Sequence, residues 1–432
     1  MACNPDIIKY SYKNERSGPR AVGHVFRYIS ALTGIIFKPD CSEPDIYSGS
    51  ENAPDSARVI LGNSKGRSPD DSRGSGTDRV ILKNDPVGEI LKRISPETII
   101  GPFAAKEPAA YPDDSTISGL IGGFMKAMIQ TGLVPAGARS IDIWPGNRRF
   151  GAVLTHDIDI TRRSIHGSLR LLFEKSPPGR ARGLWDALKW AAGRGSNPYD
   201  RIGAWIEIEK DLGVVSTFFA YAGPRNHPDD PKYNIGDLAD SLGRVSGYGF
   251  EVALHTGINS YEGRFIDQSK NTLEGAAKMK VTGARPHYLS ASLPSYWHKA
   301  VESGMLYTSC LGFDDRAGYY DGIDLPFVPF DKSIDAPIDI IEIPIAIMDC
   351  GLIGGDADSD ETARRGKAII DKAAASGGLV VLDWHQRTLY EPDYPGWGKL
   401  FLKLLHYMIE KEAYIGRMDA VAALLRGRLA EL

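Results

Sequence analysis

The segment Phe150 to Thr161, FGAVLTHDIDIT, changes character at His156. The apolar residues Phe150, Ala152, Val153 and Leu154 lead into His156, Asp157 and Asp159, polar groups that an ordinary core strand avoids. A short apolar run bounded in this way predicts a buried parallel strand. Asp157 and Asp159, two residues apart on extended backbone, point to the same face. Two carboxylates that close repel each other unless a proton or a cation intervenes. A metal on Asp159, with Asp157 left as a base, meets that need. A helix N-cap beside a solvated aspartate is the plainer alternative.

Further along, three more predicted strands end on groups of the same kind: His255 after FEVAL, Arg285 and His287 in ARPHY, and Asp383 and His385 in VVLDWH. One such ending is usually a satisfied structural residue. Four endings converging on one face of a βα barrel form a site, since functional groups in parallel α/β folds sit at the carboxyl ends of the strands.

From Arg148 onward the chain alternates strand-like and helix-like segments, the pattern of βα units on a parallel sheet. Predicted strands lie at Val214–Ala222, Phe250–Leu254, Val281–Leu289, Met305–Leu311, Ile338–Met348 and Gly378–Asp383. Predicted helices lie at Ile202–Leu212, Asn271–Lys278, Leu400–Glu412 and Met418–Leu429. Pro344 argues against a regular central strand in IIEIPIAIMD. Residues 1–145 read as a smaller α/β unit of unassigned role. It has helices at Ala21–Phe37, broken at Gly34, and at Ser115–Leu133, with short strands at Ala57–Gly62 and Arg79–Leu82. Between those strands, Gly62 to Asp78 is too polar and Gly/Ser-rich to bury its surface and reads as a mobile loop. The breaker-rich Pro135 to Asn147 marks the boundary with residues 146–432. At 432 residues two domains are expected. The predicted fold class is α/β: a distorted (β/α) barrel after a smaller α/β domain.

Composition excludes several classes of function. Apolar residues make up 42% and charged residues 25% of the chain, ordinary values for a globular protein. A net charge of −4 and no Lys/Arg-rich run give no electrostatic case for nucleic acid. The four cysteines, Cys3, Cys41, Cys310 and Cys350, show no CxxC spacing, so neither a zinc ribbon nor a disulfide framework is expected. The amino-terminal residues lack an apolar signal core and no membrane-length apolar run occurs, which predicts a cytoplasmic protein without a membrane span.

In order, LTHDID at 154–159, STFF at 216–219, EVALH at 251–255, RPHY at 285–288 and VLDWH at 381–385 resemble the motifs of the polysaccharide deacetylase (NodB-homology, carbohydrate esterase family 4) catalytic domain. The resemblance runs from about Phe150 to Trp397 and is nearest to the branch whose first motif reads HD[VI]D. It implies a barrel of that type. Asp157 would be the catalytic base, Asp159 and His255 metal ligands, Arg285 the residue holding the base, and His385 the general acid. Asp383 would be either an orienting group for that imidazole or a solvated carboxylate. Tyr288 and Trp384 would floor the site under an acyl methyl, unless Trp384 is simply core. His156, where the family usually has Phe, would be a supporting group or a packing residue. Tyr320, Asp324 and Asp349 resemble later motifs of the branch and would line the cleft.

The sequence departs from the family at Asn259, which stands where a second histidine is usual. Asparagine suits hard cations and is a weaker partner for zinc than imidazole. Three outcomes stay open: Asn259 ligates weakly, His287 substitutes, or the site holds metal poorly. The implied cofactor is a divalent metal, zinc first, with cobalt, nickel or manganese as alternatives. The implied activity is removal of an N-acetyl group from an amino sugar in a glycan or its precursor. Two other readings are an amidohydrolase of small cyclic amides and a carbohydrate-binding or scaffold protein that has lost its metal.

Overall fold

The computed structural model describes residues 7–12, 18–40, 44–48, 57–61, 80–82, 85–102, 116–163, 197–354 and 356–432, with a few single positions between. The Gly62 to Asp78 loop, Cys3 and Cys41 lie outside the described residues, and Cys310 and Cys350 are free thiols. Strands β1 (Ile8–Tyr12), β2 (Phe37–Pro39), β3 (Ile46–Ser48), β4 (Val59–Leu61) and β5 (Val80–Leu82) form one parallel sheet in the order β2-β1-β3-β4-β5. Of these, β1, β2 and β3 were not expected from the sequence. They are three to five residues long, too short for period-two alternation to declare itself. Helix Pro19–Thr33 buries Val25, Phe26, Ile29 and Leu32, residues spaced three or four apart, as an amphipathic helix must. It stops at Gly34, whose φ of +74° suits glycine.

This part is fastened to the barrel at several points. Strand β6 (Thr98–Ile100) pairs antiparallel with β11 (Ala291–Leu293). Buried Asp324 accepts from the backbone N–H and the hydroxyl of Ser118 on helix Ile117–Gln130. Trp144 Nε1 donates to Gly377 O at 2.7 Å. Apolar contacts run unbroken across residue 145; that 1–145 and 146–432 fold as separate units is a proposal.

The barrel strands are β7 (Gly151–Ile158), β8 (Ser216–Tyr221), β9 (Glu251–Thr256), β10 (Gly283–Pro286), β12 (Tyr307–Thr308), β15 (Ile341–Glu342), β16 (Ile347–Met348) and β17 (Leu379–Asp383). A hairpin, β13 (Phe330–Asp331) with β14 (Ala336–Pro337), lies beside them. The order β15-β12-β10-β9-β8-β7-β17-β16 is chain order around a ring with one seam, between β15 and β16. All its pairings are parallel. Strand β18 (Tyr414–Gly416) adds alongside the first three residues of β7. Pro344 falls between β15 and β16, where its missing N–H cannot serve a ladder, so the expected strand Ile338–Met348 is two fragments and the barrel stays open. The expected strand Val281–Leu289 likewise stops at Pro286 and turns, with Tyr288 and Leu289 both at φ +53°.

Gly283 shows how tightly the strand carrying Arg285 is packed. A Cβ there would lie 1.8 Å from the Tyr307 ring, which is fully buried. Gly283→Ala is therefore expected to destabilise by about 2–3 kcal/mol through overpacking, read as a lowered urea midpoint at constant slope.

Candidate active site

Along β7 the side chains alternate between barrel interior and helix layer. Thr155 and Asp157 face inward, and Asp159 follows just beyond the strand. His156 faces outward, fully buried between Trp205 and Phe218, with ring centroids 4.5 and 4.8 Å away. Its two nitrogens bond Trp384 O at 2.7 Å and Glu209 Oε1 at 2.9 Å. His156 thus braces the backbone next to His385 from outside the barrel, besides packing against β8.

Inside, Arg285 is fully buried and sits at the register position next to His255 on β9. Its Nη1 lies 2.8 Å from Asp157 Oδ1, 2.8 Å from Asp383 Oδ1 and 2.9 Å from Thr155 Oγ1. Nη2 donates to Ser309, and the guanidinium lies 4.1 Å from the Phe219 ring centroid. Burial works to raise the pKa of Asp157, but Arg285 and then His255 and His385 outweigh it, and the carboxyl is held below its ordinary range. Asp383 moves the other way: burial, then the neighbouring Asp157, push it up to about 7. The shared guanidinium thus sits between one carboxyl shifted toward its ionised form and a second shifted toward its protonated form.

Three atoms that could hold a metal ion meet in front of this pair. His255 Nε2 and His287 Nδ1 each lie 3.3 Å from Asp159 Oδ1, and 3.1 Å from each other. His255 Nδ1 is 3.0 Å from Arg285 O, and His287 Nε2 is 3.2 Å from Asp229 O. A carbonyl only accepts, so those two nitrogens carry the protons, and in neutral rings the facing nitrogens turn lone pairs toward Asp159 and toward each other. With both rings neutral, Asp159 Oδ1 is buried with no hydrogen-bond donor among the described residues; His255 Nε2, at 3.3 Å, could donate to it only when that ring is protonated. An acceptor-only triangle of this kind is unfavourable empty. A tetrahedral zinc with bonds of about 2.0–2.1 Å separates its ligands by about 3.4 Å, close to the triangle's sides. The donor set of two imidazoles and one carboxylate fits zinc and its first-row neighbours. Burial lowers the His287 pKa, whereas at His255 burial is outweighed by Asp157 and Asp159, which raise it.

Asn259 is turned elsewhere: its amide donates to Asn226 O at 2.8 Å. Of the two candidates for third ligand, the structure places His287 in the triangle and leaves Asn259 engaged with the neighbouring loop. The physical reason is the turn after Pro286, which swings His287 back over β9.

His385, two residues beyond Asp383, stands over the other oxygen of Asp159, with Nε2 3.0 Å from Oδ2. Arg387 Nη1 approaches the same oxygen at 3.3 Å. Asp349, at the end of β16, accepts from the His385 backbone N–H and ring Nδ1, both at 2.8 Å. Burial lowers the His385 pKa, yet Asp349 and Asp159 outweigh it and hold the imidazole well above its ordinary value. Asp383, expected either to orient His385 or to be solvated, does neither; it is fully buried against Arg285 and Thr155, and Asp349 is the orienting carboxylate.

Trp384, expected to floor the site unless it is core, faces the helix layer. It is 0% exposed, on the helix side of its strand with its ring 5.7 Å from Phe401, so it is core and floors no cleft. Tyr288 is 45% exposed beside His287, ring centroids 4.5 Å apart. A cleft of about 540 Å³ opens over Asp159, His287, Tyr288 and Arg387, walled by Tyr199 and Lys232. Tyr320 and Asp324, expected in the cleft, lie elsewhere: Tyr320 beyond Tyr288, Asp324 under Ser118. Arg387 went unread in the sequence. Its only signal was its place two residues after His385.

No protein-family model matches the chain, and no curated protein matches it in sequence. Solved structures similar to it include a protein of Mycobacterium smegmatis described as a polysaccharide deacetylase, 17% identical, covering 66% of this chain and 93% of that one at a TM-score of 0.45. Puue allantoinase is 15% identical, with coverages of 66% and 92% and a TM-score of 0.45. A family 4 carbohydrate esterase pseudoenzyme from Bacillus anthracis is 11% identical, with coverages of 64% and 66% and a TM-score of 0.33. No described helix is long and apolar enough to cross a membrane.

Proposed function

We propose that this protein is a metal-dependent hydrolase that removes an N-acetyl group from an amino sugar in a glycan or glycan precursor. The observation that carries the proposal is the triangle of Asp159 Oδ1, His255 Nε2 and His287 Nδ1, one carboxylate oxygen and two imidazole nitrogens all within 3.3 Å of one another. When bound there, a divalent cation supplies Lewis-acid chemistry, lowering the pKa of a water toward about 7 and polarising a carbonyl.

The chain's own residues supply the proton transfers. Arg285 occupies Asp157 Oδ1 and leaves Oδ2 to take the proton from the attacking water as the C–O bond forms. Asp349 fixes His385 at Nδ1, so Nε2 carries the proton given to the departing amine as the C–N bond breaks. Tyr288 lies at the rim, where the substrate enters. An open cleft of about 540 Å³ suits a sugar chain better than the narrow pocket a small cyclic amide needs.

The test compares wild type with Asp159→Ala. Divalent metal near one per chain in wild type, lost in the variant, and metal-dependent acetate release from acetylated amino-sugar oligomers are expected. Metal without acetate release keeps a hydrolase and changes its substrate. Failure to hold zinc, cobalt, nickel or manganese after loading replaces the enzyme with a carbohydrate-binding protein.

A further inference from the structure

A second groove opens on the far side of Tyr288. It measures about 340 Å³ and is lined by Ile99, Gly101, Tyr288, Phe313, Asp315 and Tyr320, a size at the lower end of small-molecule sites. Tyr288 lines both this groove and the metal-side cleft, so the two are neighbours on either side of its 45% exposed ring. The wall made by residues 99–101 belongs to the N-terminal part of the chain and is firmly seated. β6 is laddered to β11. Gly101, at φ +81°, lies so near the turn after His287 that a Cβ would stand 2.6 Å from Tyr288 O.

The surface is mixed in a particular way. Ile99 is 41% exposed, Tyr288 offers a ring, and the Phe313 ring lies 5.5 Å from that of Tyr320. The half-exposed Asp315 carboxylate at the edge pairs with Arg316 at 3.3 Å, and that guanidinium lies 3.8 Å from the Phe313 ring centroid. Flat apolar and aromatic groups suit the C–H face of a pyranose, and carboxylate oxygens accept from its hydroxyls. We infer that this groove is a subsite for the sugar unit adjoining the one whose acyl group lies over Asp159, so that the substrate is an oligosaccharide and the N-terminal part of the chain sets its length. The inference rests on the function proposed above and extends it past Tyr288.

The test uses N-acetylglucosamine and its β-1,4-linked tetramer with metal-loaded wild type, Ile99→Trp, which fills the groove, and Phe313→Ala, which empties part of it. Wild type is expected to favour the tetramer in kcat/KM by about tenfold or more, and either substitution to cut that ratio about tenfold, the worth of one aromatic contact of about 1.4 kcal/mol. No preference in wild type, or an unchanged ratio in both variants, overturns the subsite. If neither sugar yields acetate, the proposed function fails, and calorimetric titration with the tetramer decides the subsite alone. Binding that weakens about tenfold in Ile99→Trp upholds it, and absent or unaltered binding overturns it.

Discussion

His287→Ala is expected to lose metal affinity by at least about a hundredfold and nearly all activity, while Asn259→Ala stays within about threefold of wild type in affinity. Removing a mere supporting partner of a ligand costs about 10–100-fold, and losing one of three protein ligands costs more. The contrast follows from where the two side chains point. His287 Nδ1 faces both His255 Nε2 and Asp159 Oδ1, whereas the Asn259 amide donates to Asn226 O. Competition with a chromogenic chelator gives both affinities, and near-equal losses would return Asn259 to the ligand set. His287→Asn adds a check. An oxygen donor in that place weakens zinc more than manganese, because imidazole suits zinc and amide oxygen suits harder ions.

Much of the fold was legible because the barrel obeys a simple code. Each strand is an apolar run that ends in polar groups, and the strands follow one another in chain order around the ring, so the groups at their ends had to meet. That Asp157, Asp159, His255, Arg285 and His385 lie together was readable for that reason. Asp349, expected to line the cleft, is instead fully buried as the partner of His385, a role the sequence did not show. Asp383 stood nearer in sequence and on the same face, and only the parallel pairing of Met348 with Asp383 brings Asp349 alongside. Trp384 was ambiguous because alternation gives its face only once the strand's own orientation is known. The N-terminal sheet was the least legible, with strands of three to five residues whose partners are distant. The choice between His287 and Asn259 depended on two residues with positive φ after Pro286, a turn that nothing in RPHY announces.

Arg285→Met is expected to lower stability by about 3–5 kcal/mol, since removing one member of a buried ionic group leaves the others uncompensated. Asp157 is 5% and Asp383 0% exposed, and both lean on the same guanidinium nitrogen. The loss should depend on pH, and its sign follows from the two carboxyls. Asp157 is held below its ordinary range, so in wild type it contributes stability that is present above the unfolded value and lost as pH falls through the folded one. Asp383, pushed up to about 7, binds its proton in the folded protein before the unfolded chain does, so stability falls as pH rises between about 4 and 7. Without Arg285 both carboxyls move up, and the variant's folded state takes more protons than wild type's across that window. The stability difference from wild type should therefore be larger at pH 8 than at pH 5, by up to about 1.4 kcal/mol per pH unit for each proton involved. The acid limb of its kcat/KM profile should likewise move to higher pH, because Asp157 must ionise to act. Urea unfolding at the two pH values, with the rate profile alongside, measures both. A pH-independent loss with an unmoved limb would mean that Arg285 only fills space between β10 and β7. Arg285→Lys separates charge from geometry: a point charge restores part of the stability and leaves the acid limb near its wild-type position, but cannot keep the contacts to Asp157, Asp383 and Ser309 together, so its turnover stays low.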